Sequence, residues 1–418
     1  MSNLATTIRP VRVRVANASA TRQRFYAQAV LCLLGLLPVY NLIIYQQFPW
    51  LTAANPTIVG IRASDLCLLA WLIVVGPSLL WDHWESLRRD PYLVLSAALF
   101  AWSLGRDVSL GAEGIVEYAP AGLLFLVVYG AASRCNAAAL PFGRAAKWGI
   151  SFYLAFGLIQ IATGAVVDGR VQSVFGNPNF LAFYMLHMLV LLEWRGPTVT
   201  GHWVWQALAV IGIVVSKTRS VLLGVVVLLT FRLRGAWKYA FVSAVAVAVY
   251  VFPYVMRLER DNVAVLNGRV SMWRQVLASA DEFDWIFGSG KDAISQAEIL
   301  PMYRDGAVVG YYQPQSEYLQ LWAEHGLVGL LLWAGAIAAY LRALWRFRAD
   351  RIVGIVICYV FVMMVLQAVE CDIFQNLAVA AVLGLGMARA NALRAGAASV
   401  RARKPAGRAT SAAAKGDR

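Results

Sequence analysis

Along this chain, apolar stretches alternate with short polar breaks, and one polar segment is far longer than the others. Apolar runs fall near 26–45, 64–81, 91–105, 115–133, 148–167, 179–194, 203–216, 218–231, 239–256, 317–341, 352–369 and 372–388. Runs of about 20 apolar residues are long enough, as helices, to cross the hydrocarbon of a bilayer. The pattern therefore predicts an all-α integral membrane protein with about twelve transmembrane helices. The long polar segment covers 257–316, where Asn267-Gly268 reads as a turn. Apolar positions at Val270, Trp273, Val276 and Leu277 then predict a helix, which the glycine pair of Gly288-Ser289-Gly290 is expected to end. No internal repeat is visible, so nothing points to a repeat-built transporter.

Composition supports this reading: 60% of the 418 residues are hydrophobic and 14% are charged, too apolar a balance for a soluble domain. Its 15 Trp and 17 Tyr suit a chain with two membrane interfaces to anchor. The cysteines at 32, 67, 135, 358 and 371 are scattered, with no C-x-x-C pair, and read as small apolar residues. The first apolar run lacks a small-residue cleavage site and reads as a retained helix.

The net charge of +14 would suit a nucleic-acid binder, but its distribution does not. Most of the 37 Lys and Arg fall in the N-terminal segment, in alternate loops and after residue 388. The excess of positive charge on one side places both termini in the cytoplasm. The expected organisation is a basic cytoplasmic N-terminus (1–25), nine spans (26–256), an outer loop (257–316), three spans (317–388) and a basic, disordered tail (389–418).

The remaining basic residues lie on the outer side, against that rule, and include Arg62, Arg106, Arg170, Lys217, Arg219, Arg257, Arg260, Arg269, Arg274, Lys291 and Arg304. Some of these are ordinary solvated charges. Lys217 and Arg219 occupy a short break between two apolar runs, where an ionisable residue is a functional candidate by default, although snorkelling to the interface also accounts for it. Acidic residues outnumber basic ones in the outer loop, so any anion site there must come from individual arginines. On the same side, Phe175-Gly-Asn177-Pro178-Asn179 opens a span; Asn179 reads as a helix cap, and two amides at the boundary also suit a phosphate or sugar hydroxyl. Outward arginines beside an interface fit an anionic lipid-linked substrate, an anion path through a transporter, or plain solvated charge on a scaffold.

The run Gln315-Ser316-Glu317-Tyr318-Leu319-Gln320, then Glu324 and Gly326-Leu-Val-Gly329, resembles the signature of the bacterial O-antigen ligase/polymerase family. Gly268-Arg269 with Trp273, then Gly288-Ser-Gly290, is similar to that family's Arg-x-x-x-Trp and Gly-x-Gly elements. Thr218-Arg219-Ser220 and Phe175-Gly-Asn-Pro-Asn179 resemble its remaining motifs, in the family's order.

The resemblance implies a GT-C-like inner-membrane glycosyltransferase. Its donor would be an undecaprenyl-diphosphate-linked glycan at the periplasmic face, and its acceptor lipid A-core or another glycan. It would need no cofactor, metal or nucleic acid. Ligases pass the glycan to lipid A-core; polymerases pass it to another lipid-linked repeat. Under this reading Arg219 and Arg269 hold the diphosphate, with Lys217 and Arg274 beside them. Gln315 and Ser316 line the acceptor site, and Tyr318 shapes it. Asn177, Asn179, Glu317 and Glu324 are further binding candidates. The departure is Gln315, where ligases usually carry His: an amide can hydrogen-bond a hydroxyl but cannot take its proton. His325 lies about 15 Å further along a helix and reads as a packing or interfacial residue.

Overall fold

The computed structural model describes residues 4–44, 57–58, 61–109, 115–135, 142–166, 169–175, 177–195, 202–230, 272–291, 293–299, 301–304, 307–311, 316–367 and 376–403. The long helices are α1 (Leu4–Ile44), α2 (Ala63–Leu87), α3 (Pro91–Ser109), α4 (Ile115–Arg134), α5 (Phe142–Thr163), α6 (Pro178–Leu192), α7 (His202–Val215), α8 (Arg219–Thr230), α9 (Glu317–Trp345), α10 (Arg351–Gln367) and α11 (Leu377–Arg403). Every predicted apolar run falls on one of them except 239–256, which lies outside the described residues. Five segments among the described residues are long and apolar enough to span a bilayer: Ala20–Leu42, Leu66–Leu87, Phe142–Thr163, Glu317–Trp345 and Leu377–Ser399. Ala121–Arg134, Pro178–Leu192, His202–Val215 and Arg351–Met364 are apolar but shorter.

Two expectations change. The fold is helical but not purely so: β1 (Thr57–Ile58) pairs with β2 (Ile61–Arg62), and β3 (Pro301–Arg304) with β4 (Ala307–Tyr311), both antiparallel. Asp305-Gly306 between β3 and β4 is a dipeptide suited to a tight hairpin, next to the β-branched pair Val308-Val309. The basic tail is also helical from residue 389 as far as Arg403. Its Ala-, Leu- and Arg-rich sequence favours helix, and Arg389 is tied to Asp350 by an ion pair of 2.7 Å.

Small side chains let α4 and α11 approach closely: a Cβ at Gly384 would fall 2.5 Å from the Ala132 Cβ. Aromatic rings join α3, α4 and α9, with Tyr92 lying 4.6 Å from Tyr129 and 5.1 Å from Tyr340 between ring centroids. Their polar ends are satisfied, as burial in an apolar bundle requires: Tyr129 donates to Asp90 Oδ2 (3.0 Å) and Tyr340 to the Leu383 carbonyl (2.6 Å).

Contacts between helix ends define two ends of the bundle. At one, Glu193 after α6 accepts from Arg351 at the start of α10 (2.7 Å) and from Gln206 in the first turn of α7 (2.7 Å). Asp350 lies there too, accepting from the Ile352 and Val353 amides as the cap of α10. Burial pushes the Asp350 carboxyl up, but hydrogen bonds from Arg389 and the two amides outweigh it and hold it below the usual value. The opposite end gathers the C-termini of α3, α5 and α7 and the N-termini of α6, α8 and α9. The candidate residues among those described lie at that end.

Candidate active site

Two polar assemblies form this end. In the first, the segment after α5 is folded by Gln160, whose Oε1 accepts from the Gln172 and Ser173 amides (3.0 and 2.7 Å) while its Nε2 donates to the Ser173 carbonyl (2.7 Å). That turn carries Arg170 to the break between α7 and α8. Arg170 donates to the Ser216 carbonyl (2.9 Å), to Asn179 Oδ1 (2.7 Å) and to Thr218 Oγ1 (3.3 Å). Thr218 also donates to Asn179 Oδ1 (3.0 Å). Between Ser216 and Thr218, Lys217 takes a left-handed backbone (φ 52°) and its side chain is exposed.

Asn177, not Asn179, caps α6: its side chain accepts from the Asn179 amide at 2.9 Å, with Pro178 at the first helical position. The Asn179 side chain is thereby released to bind Arg170 and Thr218. Arg219 begins α8, so its backbone joins this assembly, while its side chain is outside the described residues. The structure thus brings Asn177, Asn179, Lys217 and the start of Arg219's helix together, and adds Arg170. The sequence left Arg170 among undistinguished outer charges, because nothing local signals a residue whose partners lie 9 and 46–48 positions away.

The second assembly is built on a break in α9. Gly326 has φ 65° and ψ −167°, a conformation open essentially only to glycine, so α9 is interrupted there. The freed backbone groups are satisfied by the outer-loop turn. Ser289 and Gly290 amides donate to the Ala323 and Glu324 carbonyls (2.8 and 2.9 Å), and Leu327 and Val328 amides donate to the Trp285 and Ile286 carbonyls (2.9 and 3.2 Å). Both loop glycines have positive φ, 82° at Gly288 and 83° at Gly290. A Cβ at Gly288 would strike the Glu324 carbonyl and the His325 Cα. The predicted role of this pair as the end of the preceding helix is therefore corrected. That helical segment stops at residue 278, and the glycines serve as a joint with α9.

The end of α3 locks the joint. Arg106 donates to the Gly288 carbonyl (2.8 Å) and to Asp284 (3.3 Å), and buried Asp107 accepts from the Lys291 amide (2.8 Å). Trp102 donates to the His325 carbonyl (3.1 Å). Arg106 is therefore a structural fastener and not a solvated charge.

Ahead of the break stands the short helix Glu317–His325. Ser316 occupies its N-cap position, buried and without a side-chain cap bond. Glu317 is half-buried beside it. Tyr318 packs edge-on against Trp333 (5.3 Å) and donates to the Met364 carbonyl (2.5 Å), so it orients this helix against α10. Glu324 accepts from Gln320 at 3.1 Å, and His325 Nε2 lies 3.8 Å from its other oxygen. The His325 side chain is mostly enclosed, the packing alternative of the two expected. Arg274 is exposed on the helical segment 272–278. Arg269 and Gln315 lie outside the described residues.

Residues 206–334 match the O-antigen ligase family. That region runs from α7 through the Lys217–Arg219 break and the outer loop to the second half of α9, and so contains the joint and most of the candidate residues. Arg170, Asn177, Asn179 and Arg106 fall before it, yet Arg170, Asn179 and Arg106 are attached to it by their bonds to Ser216, Thr218 and Gly288. Over that region the chain is similar to the O-antigen ligase family, and its long apolar helices are of the kind that cross a membrane. No curated protein matches it. Among the described residues no cluster of His, Cys, Asp or Glu has the arrangement of a metal site.

Proposed function

We propose that this chain is an inner-membrane glycosyltransferase that moves a glycan from undecaprenyl diphosphate to lipid A-core or a similar acceptor at the periplasmic face. It would have a GT-C-like bundle of about twelve spans and cytoplasmic termini. The observation that carries the reading is the polar assembly around Lys217 within the O-antigen ligase region. There a cationic break is braced by Arg170 and Asn179 at the same bundle end as Ser316 and Glu317.

In the reaction the sugar C1–O bond to the diphosphate breaks, an acceptor hydroxyl oxygen bonds to that carbon, and the hydroxyl proton departs. Cations beside the diphosphate stabilise the charge on the leaving group, with Arg219 and Arg269 assigned this role and Lys217 and Arg274 supporting it. Glu317 or Glu324 takes the proton, since Gln315 cannot. Metal is not required by this scheme, because guanidinium groups supply the positive charge.

Gln315 favours a second reading, in which the acceptor is another lipid-linked repeat and the protein is a polymerase. Comparing surface and lipid-linked glycans with and without the gene separates the two. Loss of decoration with accumulation of long lipid-linked chains supports the ligase, and single repeats replacing long chains support the polymerase. Unchanged pools count against both.

A further inference from the structure

The turn Trp285-Ile286-Phe287 is exposed, apolar and rigidly held. The three residues are 57%, 55% and 46% exposed, and Leu277 nearby is also exposed. In a water-filled outer loop such a tip has no physical reason to be apolar. Its depth supplies one. The turn is hydrogen-bonded to the first residues after the α9 break, Leu327 and Val328. From Leu327 to Trp345 the helix is about 28 Å long at ~1.5 Å per residue, close to the ~30 Å thickness of the hydrocarbon core. This half of α9 alone thus crosses the apolar layer, which puts the break, and the turn seated in it, at the outer lipid boundary. Leu327 and Leu331, both exposed on the same helix, continue the apolar surface from the turn into the span.

The backbone of the turn is prepared for that position. The Ile286 and Phe287 amides donate to Asp284 Oδ1 (3.1 and 2.9 Å), and the Trp285 and Ile286 carbonyls accept from α9. The Trp285 indole donates to the Ala280 carbonyl (3.1 Å), and its ring packs edge-on against Trp322 (5.1 Å). Phe287 lies 6.0 Å from Trp102. Main-chain polar groups satisfied internally are what irregular backbone requires at a lipid boundary, and aromatic side chains are the residues that favour it. Asp281 and Glu282, just before the turn, are exposed, as charged residues outside the apolar layer must be.

We propose that Trp285–Phe287 is a lipid-interface wedge, immersed in the acyl/headgroup boundary of the outer leaflet and fixing the height of the outer loop over the membrane. The partner is the bilayer itself, and the inference does not depend on the reaction catalysed. It is tested by replacing the five native cysteines and introducing Ile286→Cys or Phe287→Cys. Each variant is labelled with a nitroxide and reconstituted in phosphatidylcholine/phosphatidylglycerol nanodiscs, and the accessibility of the label to oxygen and to a water-soluble nickel chelate is compared. Gln296→Cys serves as the exposed loop reference and Leu331→Cys as the lipid-facing one. The expected result is an oxygen-to-nickel ratio several-fold above the Gln296 site and approaching that of Leu331. A ratio equal to the loop site overturns the proposal. So does low accessibility to both reagents, which means that protein covers the turn, or lipid exposure that arises only when polyprenyl diphosphate is added.

Discussion

Replacing Gly326 with alanine tests whether the break in α9 and the outer-loop turn form one unit. At φ 65° and ψ −167° a side chain costs about 1–3 kcal/mol in backbone strain alone. The new Cβ would also fall 2.5 Å from the Gly288 amide nitrogen and from the Ile286 carbonyl carbon, which are backbone atoms that cannot rotate away. Relief requires the turn to withdraw, and each bridging hydrogen bond lost adds roughly 0.5–1.5 kcal/mol. The expected destabilisation is roughly 3–5 kcal/mol, read as a fall of about 5–10 °C in apparent Tm in detergent. Gly335→Ala is the control in the same helix: the nearest atom to its Cβ is Leu95 Cδ1 at 3.5 Å, an ordinary contact, so that variant keeps or gains stability. Hydrogen exchange localises the effect, with protection lost at the amides of Ser289, Gly290, Leu327 and Val328 together. An unchanged Tm for Gly326→Ala, or loss of protection on one side of the joint only, would refute the reasoning.

Arg170→Ala removes three donated bonds and leaves the buried Ser216 carbonyl short of one partner; transfer to acceptor should fall at least about tenfold, with a smaller loss of about 1–3 kcal/mol in stability, measured by product formation and thermal unfolding. Arg269→Ala should abolish product at normal expression, and full activity would remove its diphosphate role. Asp350→Asn should cost about 1–2 kcal/mol through the α10 cap and the link to Arg389. Because the folded Asp350 carboxyl sits below its ordinary value, its contribution is fully present above that value and is lost as pH falls through the lower, folded one. Unfolding midpoints measured through that acid window should therefore fall more steeply in the wild type than in Asp350→Asn. His187→Leu should destabilise the bundle. Asn376 Oδ1 is committed to the Ala378 and Val379 amides, so its Nδ2 donates to His187 Nε2, and His187 Nδ1–H is left to donate to Tyr359.

Much of this architecture was legible in the chain because it rests on local pattern. Apolar runs of span length mark the helices, Pro178 and its neighbours mark a helix start, and the Lys217–Arg219 break stands out because charge is expensive beside apolar residues. The resemblance of the Ser316–Gly329 stretch to the ligase signature was legible for the same reason, and the match over 206–334 agrees with it. What pattern did not convey was long-range pairing. Arg106 reads as a loop charge until its partners 178 and 182 positions away are known, and the glycines at 288 and 326 read as separate motifs although a side chain on either would strike the backbone of the other's segment. The exchange of capping roles between Asn177 and Asn179 was similarly hidden, since two asparagines flanking a proline offer the same chemistry in sequence. The β3–β4 pair was missed because a short strand pair in a polar loop carries little periodic signal.

The central claim is transfer from a lipid diphosphate, and it is tested most directly with the purified protein reconstituted in lipid. Undecaprenyl-diphosphate-linked glycan is supplied with lipid A-core, or alone, and products are followed by mass spectrometry without added metal or nucleotide sugar. The account predicts a new glycosidic bond and stoichiometric release of undecaprenyl diphosphate, both lost in Arg269→Ala. Intact donor and no new bond under either condition, from protein that is folded by its thermal transition, would contradict it.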